Sequence, residues 1–192
     1  PKPPMGSKIL RDWLQVIPAG NLPPGLKWYR YWDLAISTKT DASYTASSRV
    51  AFGPDGELYV AAMLRGHWEW PQQKRVIKAT LLAERELGVL HGVESALHGT
   101  AAVQEVRKDP ELRGVAVKPV GVHVDKLTRA LPWIALAEAK KVFLVQGSWV
   151  SEFIDEAAAF TGHGDAFDDQ IDTVSGGLAL ARQASAKEED EK

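Results

Sequence analysis

Hydrophobic and aromatic residues dominate three short segments in the first third of the chain. Residues 27–37, 47–53 and 58–64 are rich in aromatic and branched side chains, which favour β-strands. The last two segments are separated by Pro-Asp-Gly at 54–56, a turn sequence that commonly joins the strands of a hairpin. The pattern therefore predicts three consecutive antiparallel strands.

Further along the chain, the spacing of apolar positions alternates between that of helices and that of strands. An antiparallel meander followed by alternating helices and strands predicts an α/β fold with a mixed central sheet flanked by helices. The predicted helices are residues 70–87, 101–108, 126–139, 149–160 and a segment from 168, and the predicted strands are 89–94, 113–119 and 141–145.

The two ends of the chain differ in composition from this central part. Residues 1–26 are rich in proline and have little periodicity, apart from 9–17, which predicts one short helix. We interpret 1–26 as a linker or arm and 27–184 as one compact domain. The acidic residues 185–192 are expected to be a disordered tail.

Composition excludes several kinds of function. The chain has 192 residues and no cysteine, which rules out disulfides, thiolate zinc sites and cysteine nucleophiles. No apolar run reaches the roughly 18 residues of a membrane span, so no membrane partner is expected.

The net charge is only -2, but residues 107–141 carry eight Lys/Arg against four Asp/Glu, while 142–192 carry three against eleven. A basic middle and an acidic end suit a protein that contacts a polyanion and binds cations.

Acidic residues occur at three unusual places. Asp33 lies within a strand-like run, where an unpaired buried charge would cost several kcal/mol. Glu94 ends another strand, and Asp168 and Asp169 begin the last helix. We expect the fold to bring these acids together as a site for two Mg²⁺ or Mn²⁺ ions, which prefer oxygen ligands and can promote phosphodiester cleavage.

Each acid also has a simpler interpretation. Asp168 and Asp169 would serve equally well as helix N-cap residues, and Glu94 as a solvated strand end. Asp41 and Asp165 have a turn or an outer position in the metal site as alternatives, and Asp172 has a solvated or an outer position.

Basic residues in the middle of the chain are candidates for contacts with nucleic acid. Lys126 and Arg129 lie one turn apart near a predicted helix start, and Lys118 lies on a predicted strand. They either contact DNA phosphates or form an ordinary solvated surface. No GxxxxGK[ST] sequence is present, so no ATP site of the P-loop type is expected.

Taken in order, these motifs resemble the C-terminal nuclease domain of the large terminase subunit of tailed bacteriophages. The resemblance spans residues 27–181, with Phe167 where a histidine often stands and Asp172-Thr173 where Asp-Ala is usual. The matching motifs are Tyr-Trp-Asp-Leu-Ala at 31–35 with Asp41 after it, Val-Glu at 93–94, residues 125–130, residues 149–160 and Phe-Asp-Asp-Gln-Ile-Asp at 167–172.

The resemblance implies an RNase H-like fold and a metal-dependent endonuclease that cuts concatemeric viral DNA during genome packaging. It assigns Asp33, Glu94, Asp168 and Asp169 as catalytic metal ligands. It also implies double-stranded DNA, an N-terminal ATPase domain of the same polypeptide, a small terminase subunit and a portal as partners, in the host-cell cytoplasm.

Other functions remain open on the sequence alone. Another RNase H-like DNA processor, such as a resolvase or transposase, would need a special DNA structure as substrate. A DNA-gripping module would use the same acids structurally and would not cut. A glycosidase with a carboxylate pair would work in EDTA, whereas the nuclease would not.

Overall fold

The computed structural model describes residues 6–36 and 44–192. Within them, the chain forms seven strands and five α-helices around one sheet. No helix in this part of the chain is long and apolar enough to cross a membrane. The strands are β1 (Leu14–Ile17), β2 (Tyr29–Asp33), β3 (Thr45–Phe52), β4 (Leu58–Gly66), β5 (Leu90–Glu94), β6 (Ala116–Val120) and β7 (Val142–Val145), and the helices are α1 (Trp70–Ala83), α2 (Leu97–Lys108), α3 (Lys126–Glu138), α4 (Val150–Ala159) and α5 (Asp169–Asp190).

The sheet is mixed, with the strand order β1-β7-β4-β3-β2-β5-β6. The pairs β2–β3 and β3–β4 are antiparallel, which confirms the predicted meander. All the other pairs are parallel. The predicted α/β class with a mixed central sheet is therefore confirmed.

Helices cover both faces of the sheet. Successive residues of each strand point to opposite faces, so each strand contributes to both layers. Trp32 and Val93 belong to a core with α1 and α2 on one face. Tyr29 and Val50 belong to a larger core with α3, α4 and α5 on the other. Asp33 follows the parity of Tyr29, and Glu94 is opposite in parity to Val93. Both acids therefore point toward the face that α5 covers.

Helix α5 lies unusually close to the sheet. A Cβ atom on Gly176 would lie 2.5 Å from ring atoms of Tyr31, and one on Gly177 would lie 2.8 Å from Val50. Only glycine permits this approach, because any larger side chain would force the helix away. Asp172 lies one turn before Gly176 on the same face of α5, so the close packing carries its side chain down toward β2.

The ends of the chain differ from the sequence prediction. Residues 9–17 do not form a helix: a 3₁₀ turn at Arg11–Trp13 leads into β1, which pairs in parallel with β7. Backbone pairing at a free sheet edge outweighed the local helical pattern. Residues 185–190, predicted to be disordered, form the exposed end of α5. Their Ala, Glu and Lys residues favour helix.

A buried ionic cluster lies beneath α1, on the face opposite α5. The side chains of Arg30 and Glu84 are 2% and 7% exposed, with 2.5 Å between Arg30 Nη2 and Glu84 Oε1. Arg30 Nε also donates to Glu84 Oε2 at 2.8 Å, and Arg49 Nη1 donates to Glu84 Oε1 at 3.0 Å. These hydrogen bonds satisfy charges that would otherwise be costly to bury.

Candidate metal centre

Asp33 and Glu94 lie side by side at one edge of the sheet. Strands β2 and β5 run parallel, with Trp32 opposite Val93, so the next residue of each strand reaches the same edge. Asp33 is the last residue of β2, not the mid-strand residue that the sequence predicted. Because Asp33 ends its strand, the cavity can reach its carboxylate although the residue is mostly buried.

The start of α5 supplies the remaining acids. Asp168 immediately precedes the helix, Asp169 begins it, and Asp172 lies one turn further on and is 3% exposed. Asp168 occupies the N-cap position, yet its side chain makes no capping hydrogen bond. The N-cap interpretation of Asp168 is therefore wrong, and its carboxylate is turned to other partners.

All the acids that were predicted as metal ligands line one open cavity. Asp33, Glu94, Asp168 and Asp169 line its wall, together with Lys126. Asp172, which the sequence predicted to be solvated or in the outer part of the metal site, is buried within α5 beside this cavity. The four predicted ligands thus come from three separate parts of the chain.

Burial and mutual repulsion raise the pKa values of these carboxyl groups. Burial raises the pKa of Asp33 to about 8, and the charges of Glu94, Asp172 and Asp169 add to the shift. Burial and the neighbouring Asp168 raise the pKa of Asp169 to about 7. Burial also raises the pKa of Asp172 to about 6. So many negative charges in one place require cations or protons.

Lys126 supplies one such positive charge. Its Nζ atom lies 2.7 Å from Asp168 Oδ1 and 2.9 Å from Asp172 Oδ2. Burial lowers the pKa of this lysine, but the hydrogen bonds to the two aspartates outweigh burial and raise it. Lys126, which was predicted to contact DNA, therefore has its ammonium group at the acidic site itself.

Divalent cations fit the donors of this site. Within residues 6–36 and 44–192, no three His, Cys, Asp or Glu side chains are already arranged to hold a metal ion. The available donors are nevertheless all carboxylate oxygens, which suit Mg²⁺ and Mn²⁺. Asp172 Oδ1 is buried without a hydrogen-bond partner, so an acceptor is left for a cation.

Tyr31 and Arg129 support Glu94, a role that the sequence analysis missed. Tyr31 donates its hydroxyl to Glu94 Oε2 at 3.1 Å, and Arg129 Nη2 donates to the Tyr31 oxygen at 3.3 Å. Arg129, predicted to contact DNA, is thus half-buried with its guanidinium near this pair. The only sequence signal for this role is that Tyr31 and Asp33 are two residues apart, which places them on the same face of the strand.

The other predicted residues lie around the cavity or outside the described part of the chain. Asp165 accepts hydrogen bonds from the Thr161 and Gly162 amides at 3.0 and 2.7 Å, in the turn before α5. Lys118 lies opposite Gly92 on the edge strand β6. Asp41 lies outside the described residues.

A family model described as the Terminase RNaseH-like domain matches residues 30–179, which is most of the chain. The chain belongs to this family. No match was found among curated proteins.

Solved structures of terminase nucleases share the fold of this terminase RNase H-like domain. The human cytomegalovirus terminase nuclease domain, soaked with Mn and bound to an inhibitor, has a TM-score of 0.69 at 15% identity, covering 91% of this chain and 95% of that one. The large terminase nuclease of the thermophilic phage G20c, with bound magnesium, has a TM-score of 0.65 at 17% identity, covering 92% and 98%. At these identities, the likeness shows the fold.

The raised pKa of Asp33 predicts a pH-dependent stability in metal-free buffer. The pKa of Asp33 is 3.8 in the unfolded chain and about 8 in the folded protein, so the folded protein binds this proton more tightly than the unfolded chain does. This stabilisation is present at low pH and is lost as pH rises. Asp33→Asn should therefore have a higher free energy of unfolding than wild type between about pH 5 and pH 8, by at least about 1 kcal/mol, since one pKa unit is about 1.4 kcal/mol. Its melting temperature should rise accordingly.

Differential scanning fluorimetry in EDTA checks this prediction. His91, whose pKa burial lowers to about 4, has the opposite pH dependence but contributes equally to both proteins. The difference between variant and wild type therefore cancels the contribution of His91 and reports Asp33 together with the carboxylates coupled to it, Glu94, Asp169 and Asp172. A difference that stays constant across this pH range would contradict the prediction.

Proposed function

We propose that this chain is a metal-dependent DNA endonuclease that cuts concatemeric viral DNA during genome packaging. The observation that carries the proposal is the convergence of Asp33, Glu94, Asp168 and Asp169 on one open cavity in a terminase RNase H-like domain. Similar terminase nuclease structures include one soaked with manganese and others with bound magnesium, cobalt or zinc, which supports a divalent-metal site.

The acids have complementary roles in this proposal. Asp33 and Glu94 would hold cations from the sheet edge, and Asp168 and Asp169 from the start of α5. Two Mg²⁺ or Mn²⁺ ions held by these residues would supply the activation of water and the stabilisation of the leaving oxygen in phosphodiester hydrolysis. Tyr31 holds Glu94 by its hydrogen bond, and Lys126 balances the charge of Asp168 and Asp172 while the cations are absent.

The substrate and partners follow from the same proposal. Double-stranded DNA would run over the basic residues Lys118, Lys126 and Arg129 to reach the cavity. An ATPase domain of the same polypeptide, the small terminase subunit and the portal would deliver that DNA in the host-cell cytoplasm.

Plasmid digestion tests the proposed function. The protein is incubated with supercoiled plasmid in MnCl₂, in MgCl₂ and in EDTA, and the nicked and linear forms are quantified. We expect conversion with either metal and none in EDTA. Persistence of cleavage in EDTA, or its absence with both metals in a folded preparation, would overturn the proposal.

Lys118 provides a separate prediction about DNA binding. It makes no ion pair within the described part of the chain, so its charge is available to a phosphate. Each phosphate neutralised contributes about 0.9 to the slope of log affinity against log salt. Lys118→Ala should therefore flatten that slope by about one, as measured by fluorescence anisotropy with a labelled duplex in Ca²⁺.

Lys74→Ala is the matched control for Lys118. Lys74 lies on α1, on the opposite face of the sheet, with its Nζ 3.5 Å from Glu105. Its removal should leave the salt slope unchanged. Equal slopes for Lys118→Ala, Lys74→Ala and wild type would show that Lys118 is an ordinary surface charge.

A further inference from the structure

Glu156 on α4 is a buried acid that does not line the cavity. Its side chain is 2% exposed, yet it lies directly against the first turn of α5. Glu156 Oε1 accepts from the backbone N–H of Gln170 at 2.8 Å and of Ile171 at 3.3 Å. Glu156 Oε2 accepts from the Gln170 side-chain amide at 2.5 Å. A carboxylate from one helix thus caps the start of another.

This cap takes the place of the one that Asp168 would ordinarily provide. The first amides of a helix lack partners within it, and the N-cap side chain usually accepts from one of them. Asp168 makes no such bond. Because Glu156 satisfies the amides of α5 from outside, the carboxylates of Asp168 and Asp169 remain available to the cavity.

Arg65 on β4 holds Glu156 in place. Its Nη1 atom lies 3.1 Å from Glu156 Oε2, and its Nη2 atom pairs with Glu152, which is 59% exposed. Its guanidinium also stacks over the rings of Tyr44 and Phe167, at 4.3 and 5.9 Å from their centroids. Burial raises the pKa of Glu156, while hydrogen bonds from Gln170 and Ile171 and the charge of Arg65 oppose that shift.

We infer that Glu156, held by Arg65, is a positioning residue that sets where the Asp168–Asp172 segment presents its carboxylates to cations. The inference rests on the proposed function, in which those carboxylates bind metal. Groups that orient metal ligands in this way typically change metal affinity about 10–100-fold when they are removed. Glu156 does not line the cavity, so any effect of Glu156 on cation binding must be transmitted through the backbone of α5.

Three variants separate positioning from other effects. Glu156→Ala removes both acceptor oxygens from the start of α5. Glu156→Gln keeps one oxygen for the Gln170 and Ile171 amides but loses the charge facing Arg65. Glu152→Ala removes the other partner of Arg65 and leaves the cap of α5 intact, which makes it the matched control.

Two measurements are made well below the melting temperatures. Hydrogen exchange at the Gln170 and Ile171 amides in metal-free buffer reports the cap, and calorimetry with MnCl₂ reports the dissociation constant of the folded protein. For Glu156→Ala we expect faster exchange at both amides and Mn²⁺ binding about 10–100-fold weaker. Glu156→Gln keeps an acceptor for the two backbone amides but turns an NH₂ group toward the Gln170 and Arg65 donors, so it should lie between Glu156→Ala and wild type in both measurements. Glu152→Ala should match wild type.

The outcomes distinguish this inference from the proposed function. A purely structural role would lower the melting temperature of Glu156→Ala and leave the Mn²⁺ affinity at the wild-type value, which would overturn the inference alone. Unchanged exchange at Gln170 and Ile171 would overturn it as well. A wild-type protein that neither binds Mn²⁺ nor nicks plasmid would overturn the proposed function and this inference together.

Discussion

Replacing Asp33 with asparagine is expected to abolish DNA cleavage while the protein stays folded. Among Asp33, Asp169 and Asp172, the pKa of Asp33 is raised most, first because the group is buried and second because the charges of its neighbours add to the shift. If it binds both catalytic cations, its loss should reduce the rate of nicking in Mn²⁺ at least about 1,000-fold, beyond the 10–100-fold that outer residues of metal sites contribute.

The same variant separates a metal ligand from a structural acid by the sign of its effect on stability. Removing one of several carboxylates that repel each other should leave the melting temperature in EDTA unchanged or raised. Removing a structural hydrogen-bonding group usually destabilises, by about 1 kcal/mol for a helix cap. Loss of activity together with unchanged or raised stability is therefore the expected signature.

Asp155→Asn is the control for Asp33. Asp155 is 64% exposed, where it pairs with Arg11 on the surface of α4. Its replacement should change neither nicking nor melting temperature measurably, since exposed ion pairs contribute little. Near-normal nicking by Asp33→Asn in Mn²⁺ would refute the proposed site, because Glu94 is the only other strand acid on this face of the described sheet and the site needs both.

Replacing Glu84 with alanine is expected to cause the largest loss of stability, about 3–5 kcal/mol. Arg30 would be left buried without its carboxylate, and only Ser47, at 3.1 Å from Arg30 Nη1, would still accept from its guanidinium. Arg49 would lose its partner in the same step. An unpaired charge at 2% exposure is the most costly change that a single substitution can make in this core.

Urea denaturation measures this loss directly, because the midpoint shifts while the slope stays constant in a two-state transition. Glu105→Ala is the control, since Glu105 is 53% exposed in its pair with Lys74 and should contribute less than about 1 kcal/mol. A loss of less than about 1 kcal/mol for Glu84→Ala would show that solvent reaches Arg30 in the native state.

Local sequence determined the elements and part of the site. The alternation in 27–37, 47–53 and 58–64 predicted the meander, because side-chain period and turn chemistry are local properties. Asp33 was recognisable because an acid within an apolar strand-like run is costly without a compensating partner, and Glu94 because it ends another such run. The parallel pairing of β2 and β5 then placed both acids at one edge.

Long-range contacts decided the rest, and no local pattern encodes them. Within residues 9–17, whose spacing favoured helix, residues 14–17 became strand β1 because the edge of β7 was available for pairing. The burial of Asp172 depends on Gly176 resting against Tyr31, a contact across most of the chain. The cap that Glu156 places on α5 forms only once α4 packs against α5. The ammonium of Lys126 likewise reaches Asp168 and Asp172 only once α3 packs against α5.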